Sequence, residues 1–287
     1  MIRIAELPSA KASLIRNLLR DRKAREAEEA FVIEGFKPIH DLATRGSASV
    51  MALVATQRWL EQGEADLRRW FAQQDVPIYR ASEQTFDRLS DVQTSQGILA
   101  VVRKPQWDQA SIFARPRLFA MYGEGIQDPA NVGAIIRTAT AFGLDALWLS
   151  SDSADVFNPK VVRAAAGTVL TLPVFSLKEG LALFARQHCQ LVAAETPGAT
   201  SMPIRQVTSL PSRAILALGN ESRGLSAATL QQATARFHIP VSPLVESLNV
   251  AASAAIAAFH LAGLPREDGA KREPSHVHRG KNGRKQR

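Results

Sequence analysis

The sequence predicts an α/β protein of two sheet-containing units, and three observations lead there. Its 287 residues are 46% hydrophobic, too long a chain for one ordinary core and too apolar to stay disordered. From about residue 117 onward, short apolar runs alternate with helical patterns, as expected of parallel strands joined by helices. Between these regions Arg103-Lys-Pro-Gln-Trp-Asp108 mixes charge, proline and polar side chains, which predicts a linker over 103–115. The expected organisation is a smaller α/β unit over 1–106, a parallel-sheet unit over 107–266, and a basic tail over 267–287. The tail has almost nothing to bury and is expected to be disordered when alone.

Each element has its own warrant. Residues 13–29 are rich in Leu, Arg, Ala and Glu and predict a basic helix, followed by a short strand at Phe31-Val-Ile33 that ends at Glu34-Gly35. A second helix is expected from Lys37 through Ala43 to a stop at Gly46. Residues 50–55 and 97–102 read as buried strands around an amphipathic helix at 59–73. In the second unit, apolar runs at 118–121, 145–149, 190–194 and 214–218 have the length of buried parallel strands. Asp128-Pro129, then Ile135, Ile136, Ala139 and Phe142, then Gly143, predict a helix over 129–142 with an N-cap, a first-turn proline and a glycine stop. An alanine-rich helix over 249–262 closes the unit before Gly263 and Pro265.

Charge is unevenly placed. Of a formal net charge of +8, residues 11–25 carry +5 and residues 271–287 carry +6, leaving −3 on the body between and around them. Clustered cations of this kind suit a polyanion. Lys11, Arg16, Arg20, Arg22, Lys23 and Arg25 are therefore candidates for RNA phosphate contact, with few aromatics nearby to stack on bases. The one cysteine, Cys189, excludes an internal disulfide and a thiolate zinc cluster, and reads as a structural thiol. His40, His188, His238 and His260 are scattered without metal spacing, so no metal is expected. There is no Walker-type loop, no His-Glu-x-x-His and no GxGxxG, since Gly123-Glu-Gly125 lacks the third glycine. The N-terminal residues lack a signal-peptide pattern and no apolar run is long enough to span a bilayer; no membrane partner and a cytoplasmic location are expected.

Three polar, glycine-bearing segments follow strands of the second unit, where ligand sites of open α/β sheets form. Asn131 lies in the first turn of the 129–142 helix, while Arg137 shares a face with Gly133 and Ala130, whose small side chains leave it room to project. Leu218-Gly-Asn-Glu-Ser-Arg-Gly-Leu-Ser226 places Glu221 between Gly219 and Gly224, although a plain loop with Ser226 as N-cap accounts for it nearly as well. Residues 239–250 bring Ser247 and Asn249 to the start of the alanine-rich helix, where capping is the simplest reading.

Taken together, 131–139, 219–226 and 239–250 resemble, in order and spacing, the three motifs of the SpoU (TrmH-type) RNA 2′-O-ribose methyltransferases of the SPOUT superfamily. Lys23-Ala-Arg-Glu26, Phe31-Val-Ile-Glu-Gly35 and Leu89-Ser-Asp through Gln96-Gly-Ile-Leu-Ala-Val-Val102 resemble the N-terminal RNA-substrate-binding domain of that family. The resemblance implies a deep trefoil knot in the parallel-sheet domain, S-adenosylmethionine as cofactor, a homodimer, and transfer of a methyl group to a ribose 2′-hydroxyl, in ribosomal rather than transfer RNA. Carried over by position, it implies a catalytic set of Asn131, Arg137, Glu221, Ser247 and Asn249. The cofactor positions it implies are Leu218, Gly219, Asn220, Gly224, Ile239, Val241, Ser247 and Leu248.

Two positions depart from the family pattern: Pro243 stands where a glycine is usual, removing an N–H, and Ala251 stands where a serine is common. They keep open an alternative, a non-catalytic RNA-binding assembly factor on the same fold. A nucleotide-dependent oxidoreductase is disfavoured by the missing GxGxxG. Because a guanidinium is effectively never deprotonated, Arg137 is expected to bind the hydroxyl or a neighbouring phosphate and not to act as base. Asn131, Ser247 and Asn249 would fix its geometry, and Glu221 would hold Arg137 or take the proton through water.

Overall fold

The computed structural model describes residues 4–45, 49–63, 65–73, 76–90, 92 and 94–267. The expected helix stop at Gly46 and nearly all of the tail lie outside them. The first half comprises β1 (Ile4–Glu6), α1 (Ser9–Arg20), α2 (Arg22–Ala27), β2 (Ala30–Glu34), α3 (Phe36–Arg45), β3 (Val50–Thr56), α4 (Gln57–Gln62), α5 (Ala65–Gln73), β4 (Ile78–Ala81), α6 (Glu83–Leu89) and β5 (Ile98–Arg103). Its five strands form one sheet in the order β1-β4-β3-β5-β2, with β5 antiparallel to both neighbours.

Two of the expected helices are broken, each for a local reason. The 13–29 helix stops at Asp21, whose backbone is extended and whose side chain accepts from the Lys23 N–H at 2.8 Å, restarting the chain as α2. The 59–73 helix is interrupted at Gly63, also extended, which divides α4 from α5. The linker is shorter than expected. Residues 109–113 form a helix, α7 (Gln109–Phe113), capped by Asp108 and anchored by buried Ile112 and Phe113.

The second half continues with β6 (Leu118–Gly123), α8 (Pro129–Ala141), β7 (Leu147–Leu149), α9 (Pro159–Ala164), β8 (Val174–Ser176), α10 (Ala182–Arg186), β9 (Gln190–Ala194), β10 (Met202–Pro203), β11 (Leu210–Pro211), β12 (Arg213–Leu218), α11 (Ala227–Gln232), β13 (Ala233–His238), α12 (Val250–Ala262) and β14 (Arg266–Glu267). Seven strands form an all-parallel sheet in the order β10-β13-β9-β12-β6-β7-β8. The chain builds outward from β6 through β7 to β8, then resumes on the far side at β9 and inserts β12 between β9 and β6. This reversal puts a crevice at the carboxyl ends of the central strands. Leu216, Ala217 and Leu218 of β12 are buried, as expected of a strand covered on both faces.

Helix α8 forms as its sequence predicts: Asp128 accepts from the Ala130 N–H at 2.9 Å, Pro129 opens the helix, and Gly143 follows it with φ +67°. Its neighbour α9 crosses it at Gly133, where an added Cβ would lie 2.5 Å from Ala164 Cβ and 2.6 Å from the Val161 carbonyl oxygen. The final helix α12 also packs on α8. One buried cluster runs through both halves, joining Phe31, Ile33 and Leu53 to Val132, Ile136, Val161 and Leu216.

Candidate active site

The three motif segments meet at the carboxyl end of the central sheet. Asn131 is 7% exposed, at the start of α8. Its Nδ2 donates to Glu221 Oε1 at 2.9 Å, and its Oδ1 accepts from Asn249 Nδ2 at 2.9 Å. Asn249 Oδ1 in turn accepts from the Ala251 and Ala252 N–H groups at 2.9 and 3.3 Å, capping α12. Chemistry sets the direction of this relay. An ionised carboxylate only accepts, so Asn131 presents its amide nitrogen to Glu221 and its oxygen to Asn249. The helix N–H groups only donate, so Asn249 gives them its oxygen and keeps its nitrogen for Asn131.

Partial burial acts to raise the pKa of Glu221. The bond from Asn131 and backbone N–H groups of Glu221, Asp128 and Gln127 outweigh it and hold the carboxyl below its usual range. Glu221 is thus ionised at neutral pH. Its second oxygen has a long contact, 3.4 Å, with Asn220 Nδ2.

The loop bearing Glu221 is shaped by close backbone approach. An added Cβ on Gly219 would lie 2.2 Å from both Gly224 C and Leu225 N, and Gly224 has φ +67°. Asn220 ties the loop to the turn after β6 by donating to the Gly125 carbonyl at 2.7 Å, and its Oδ1 accepts from the Ser222 and Arg223 N–H groups. Glu124 adds a brace that the sequence did not suggest. It accepts from Ser226 N–H at 2.9 Å, from Ser226 Oγ at 2.8 Å and from buried Thr229 Oγ1 at 2.9 Å. The available signal was the Gly123-Glu-Gly125 pair, which carries this carboxylate between two glycines even though it lacks the third glycine of a nucleotide loop.

A cleft of about 570 Å³ opens between this loop, the 239–249 segment and the loop after β9. It is lined by all eight cofactor candidates, Leu218, Gly219, Asn220, Gly224, Ile239, Val241, Ser247 and Leu248, and by Glu221 and Asn249. Glu195, Thr196 and Pro197 line it as well. Sequence reasoning missed them, although a Pro-Gly turn directly after a buried strand was there to be read. Three carboxylates, Glu195, Glu221 and Glu246, line the cleft against one guanidinium, Arg223. The volume suits a drug-sized ligand, and the charge balance suits a cationic one.

Three expectations are corrected. Arg25 is 2% exposed and paired with Asp155, so it offers no charge to RNA; Lys11, Arg16, Arg20, Arg22 and Lys23 are exposed. Glu221 is held by Asn131 and not by Arg137. Arg137 is exposed and has no hydrogen bond or ion pair among the described residues, so Asn131, Ser247 and Asn249 do not fix its geometry as expected. The two departures from the family pattern lie off the cleft wall. Pro243 sits in a turn closed by the Val245 N–H on the Ser242 carbonyl at 3.0 Å, and Ala251 gives its N–H to Asn249.

Comparison with known proteins decides the family. Residues 119–259 match the SpoU rRNA Methylase family, and residues 15–100 match the MRM3-like substrate binding domain. The chain is 33% identical over 254 residues to an uncharacterised tRNA/rRNA methyltransferase of Synechocystis, covering 86% of this chain and 90% of the relative. It is 30% identical over 263 residues to the 23S rRNA (guanosine(2553)-2′-O)-methyltransferase RlmP of Bacillus subtilis, covering 90% and 99%. The chain belongs to the SpoU rRNA methylase family. A solved structure of a putative TrmH-family RNA methyltransferase from Porphyromonas gingivalis superposes with a TM-score of 0.73 at 33% identity, covering 89% of this chain and 98% of that one. The SpoU match contains α8, the 219–226 loop and most of α12, so the Asn131–Glu221–Asn249 relay lies inside the family's own segment. Among the described residues no group of His, Cys, Asp and Glu is arranged to hold a metal ion.

Proposed function

We propose that this chain is an S-adenosylmethionine-dependent RNA methyltransferase acting on a ribose 2′-hydroxyl, in ribosomal RNA. The observation that carries the reading is a cleft walled by two of the motif segments, whose lining residues Glu221 and Asn249 are both hydrogen-bonded to Asn131 of the third. S-adenosylmethionine bound there supplies a methyl group already activated on a sulfonium. Leu218, Gly219, Asn220, Gly224, Ile239, Val241, Ser247 and Leu248 would hold it, and the excess of carboxylates matches its positive charge.

The protein's own part is positioning and charge. Arg137, exposed on α8, donates to the target hydroxyl or an adjacent phosphate and stabilises negative charge developing on the ribose oxygen. Glu221, ionised and held at one oxygen, accepts the hydroxyl proton through water at the other. The cleft walls need neither Pro243 nor Ala251, which removes the sequence argument for a non-catalytic assembly factor.

The same reading assigns residues 1–106 to RNA binding, 107–266 to catalysis and 267–287 to a basic arm. It includes a trefoil knot in the catalytic part. Support for the knot comes from β12, threaded between β6 and β9, and from α12, which returns against α8. A homodimer is supported by exposed apolar surface on α12, with Phe259 72% exposed beside Phe142. The same reading takes the cytoplasm as the site of action.

The test is to incubate the protein with labelled S-adenosylmethionine and ribosomal RNA from cells lacking it, then map 2′-O-methyl nucleotides by mass spectrometry. One new modified ribose is expected, and it disappears with Arg137→Ala. Tight RNA binding without methyl transfer or S-adenosylmethionine binding would restore the assembly-factor reading.

A further inference from the structure

We infer that Arg25 and Asp155 form a buried latch that sets the angle at which the RNA-binding half is held on the catalytic half, making both positioning residues for the RNA. This rests on the reading of the chain as an RNA methyltransferase. The Arg25 and Asp155 side chains are 3% and 14% exposed. Arg25 Nε and Nη2 lie 2.8 and 2.7 Å from Asp155 Oδ2, and Nη1 donates to the Leu18 carbonyl at 2.6 Å. One planar group thus joins the end of α1 to the loop before α9, a geometry that a lysine cannot copy.

The loop that receives it is itself braced. Asp155 Oδ1 accepts from the Phe157 N–H at 3.1 Å, and the Asp155 carbonyl accepts from the Asn158 N–H at 3.0 Å. Asn158 then caps α9 through the Lys160 N–H at 2.9 Å. Two further contacts from the first half grip the same turn. The Phe31 ring of β2 lies 4.7 Å from that of Phe157, and the Lys104 ammonium sits 5.1 Å from the Phe157 centroid. Beyond the turn, α9 meets α8 at Gly133 with no room for a methyl group, and α8 carries Asn131 and Arg137. A rigid path therefore runs from the basic face of α1 and α2 to the catalytic helix.

A hydrophobic contact alone would hold the halves together without fixing their angle. A desolvated, three-point guanidinium adds direction, because tilting either half strands a charge away from water. RNA phosphates gripped by Arg16, Arg20, Arg22 and Lys23 would then meet the cleft at a set distance. Arg25 lies among these cations in sequence and serves the RNA from inside the protein.

The test uses the full chain with Arg25→Leu and Asp155→Leu together, which removes both buried charges at once, and with Arg25→Lys alone. Methyl transfer is followed against concentration of ribosomal RNA from cells lacking the protein. Solution scattering is recorded without RNA. In the double variant the RNA KM rises at least tenfold and the radius of gyration grows, while kcat at saturating RNA and S-adenosylmethionine affinity stay within twofold. Arg25→Lys raises KM by less. Wild-type KM and scattering in both variants overturn the latch, as does a fall in kcat at unchanged KM. Unfolding of the double variant with a wild-type KM in Arg25→Lys overturns it too, since the pair then serves stability alone. Should the wild-type protein transfer no methyl group, the functional reading fails, and scattering still decides the latch.

Discussion

Asn249 does two things at once, and they can be separated. Its Oδ1 caps α12 while its Nδ2 holds Asn131. Asn249→Ala should lose about 1 kcal/mol of stability with the cap, together with the relay. Asn249→Asp keeps a good cap but replaces the amide nitrogen with a carboxylate oxygen facing Asn131. Whichever way the Asn131 amide then turns, either the new carboxylate or Glu221 is left without its donor. Thermal denaturation should therefore show a loss in Asn249→Asp that comes from the stranded carboxylate and not from the cap, and kcat/KM should fall roughly tenfold or more. Glu221 makes a pH-dependent contribution whose sign follows from its lowered pKa. A depressed carboxylate stabilises the fold above its unfolded pKa, and that contribution is lost as pH falls through the folded value. Melting temperatures recorded from neutral pH downward should therefore fall more steeply for the wild type than for Glu221→Gln in the acid range, with little divergence near neutrality.

The crossing of α8 and α9 is the joint most sensitive to volume. Gly133→Ala places a methyl 2.5 Å from Ala164 Cβ and against backbone on two sides, so the helices must part. Overpacking of this kind costs about 1–3 kcal/mol. Chemical denaturation should show that loss, and weakened methyl transfer should accompany it because Asn131 moves with α8. Ala164→Gly in the same chain should recover part of both; no recovery would mean the clash is with backbone alone. Most elements were legible because local signals agreed with tertiary need: Asp128, Pro129 and Gly143 bracket α8, and continuous apolar runs mark β6, β9 and β12. Those missed had mixed signals. β13, Ala-Thr-Ala-Arg-Phe-His, is a strand because β9 and β10 flank it, and α7 is a helix because Ile112 and Phe113 have a core to enter.

At the scale of the molecule, the +8 charge is divided between parts with different tasks. Five exposed cations remain on the first arm once Arg25 is withdrawn into its ion pair, while the tail carries +6. Deleting residues 268–287 should weaken RNA binding and reduce the salt slope of log K by roughly 0.7–0.9 for each phosphate no longer neutralised. Affinity for S-adenosylmethionine should be unchanged, because the cleft is lined by residues between 194 and 253. Titration calorimetry for the cofactor and filter binding for RNA across a salt series check the two halves of that statement. A fall in cofactor affinity would make the tail part of the site.

By itself, the sequence determined the α/β class and the three motif segments, because these depend on residue type and local spacing; the cofactor candidates that line the cleft came from the family those segments resemble. The tertiary structure decided which of those residues touch. Asn131, Glu221 and Asn249 are separated by tens of residues, and only the return of α12 onto α8 beside the β12 loop brings their side chains within hydrogen-bond distance. It also decided that Arg25 faces inward. Six basic residues in one short stretch look equivalent in a sequence, but a carboxylate 130 positions away, presented by a half-buried loop, makes one of them structural.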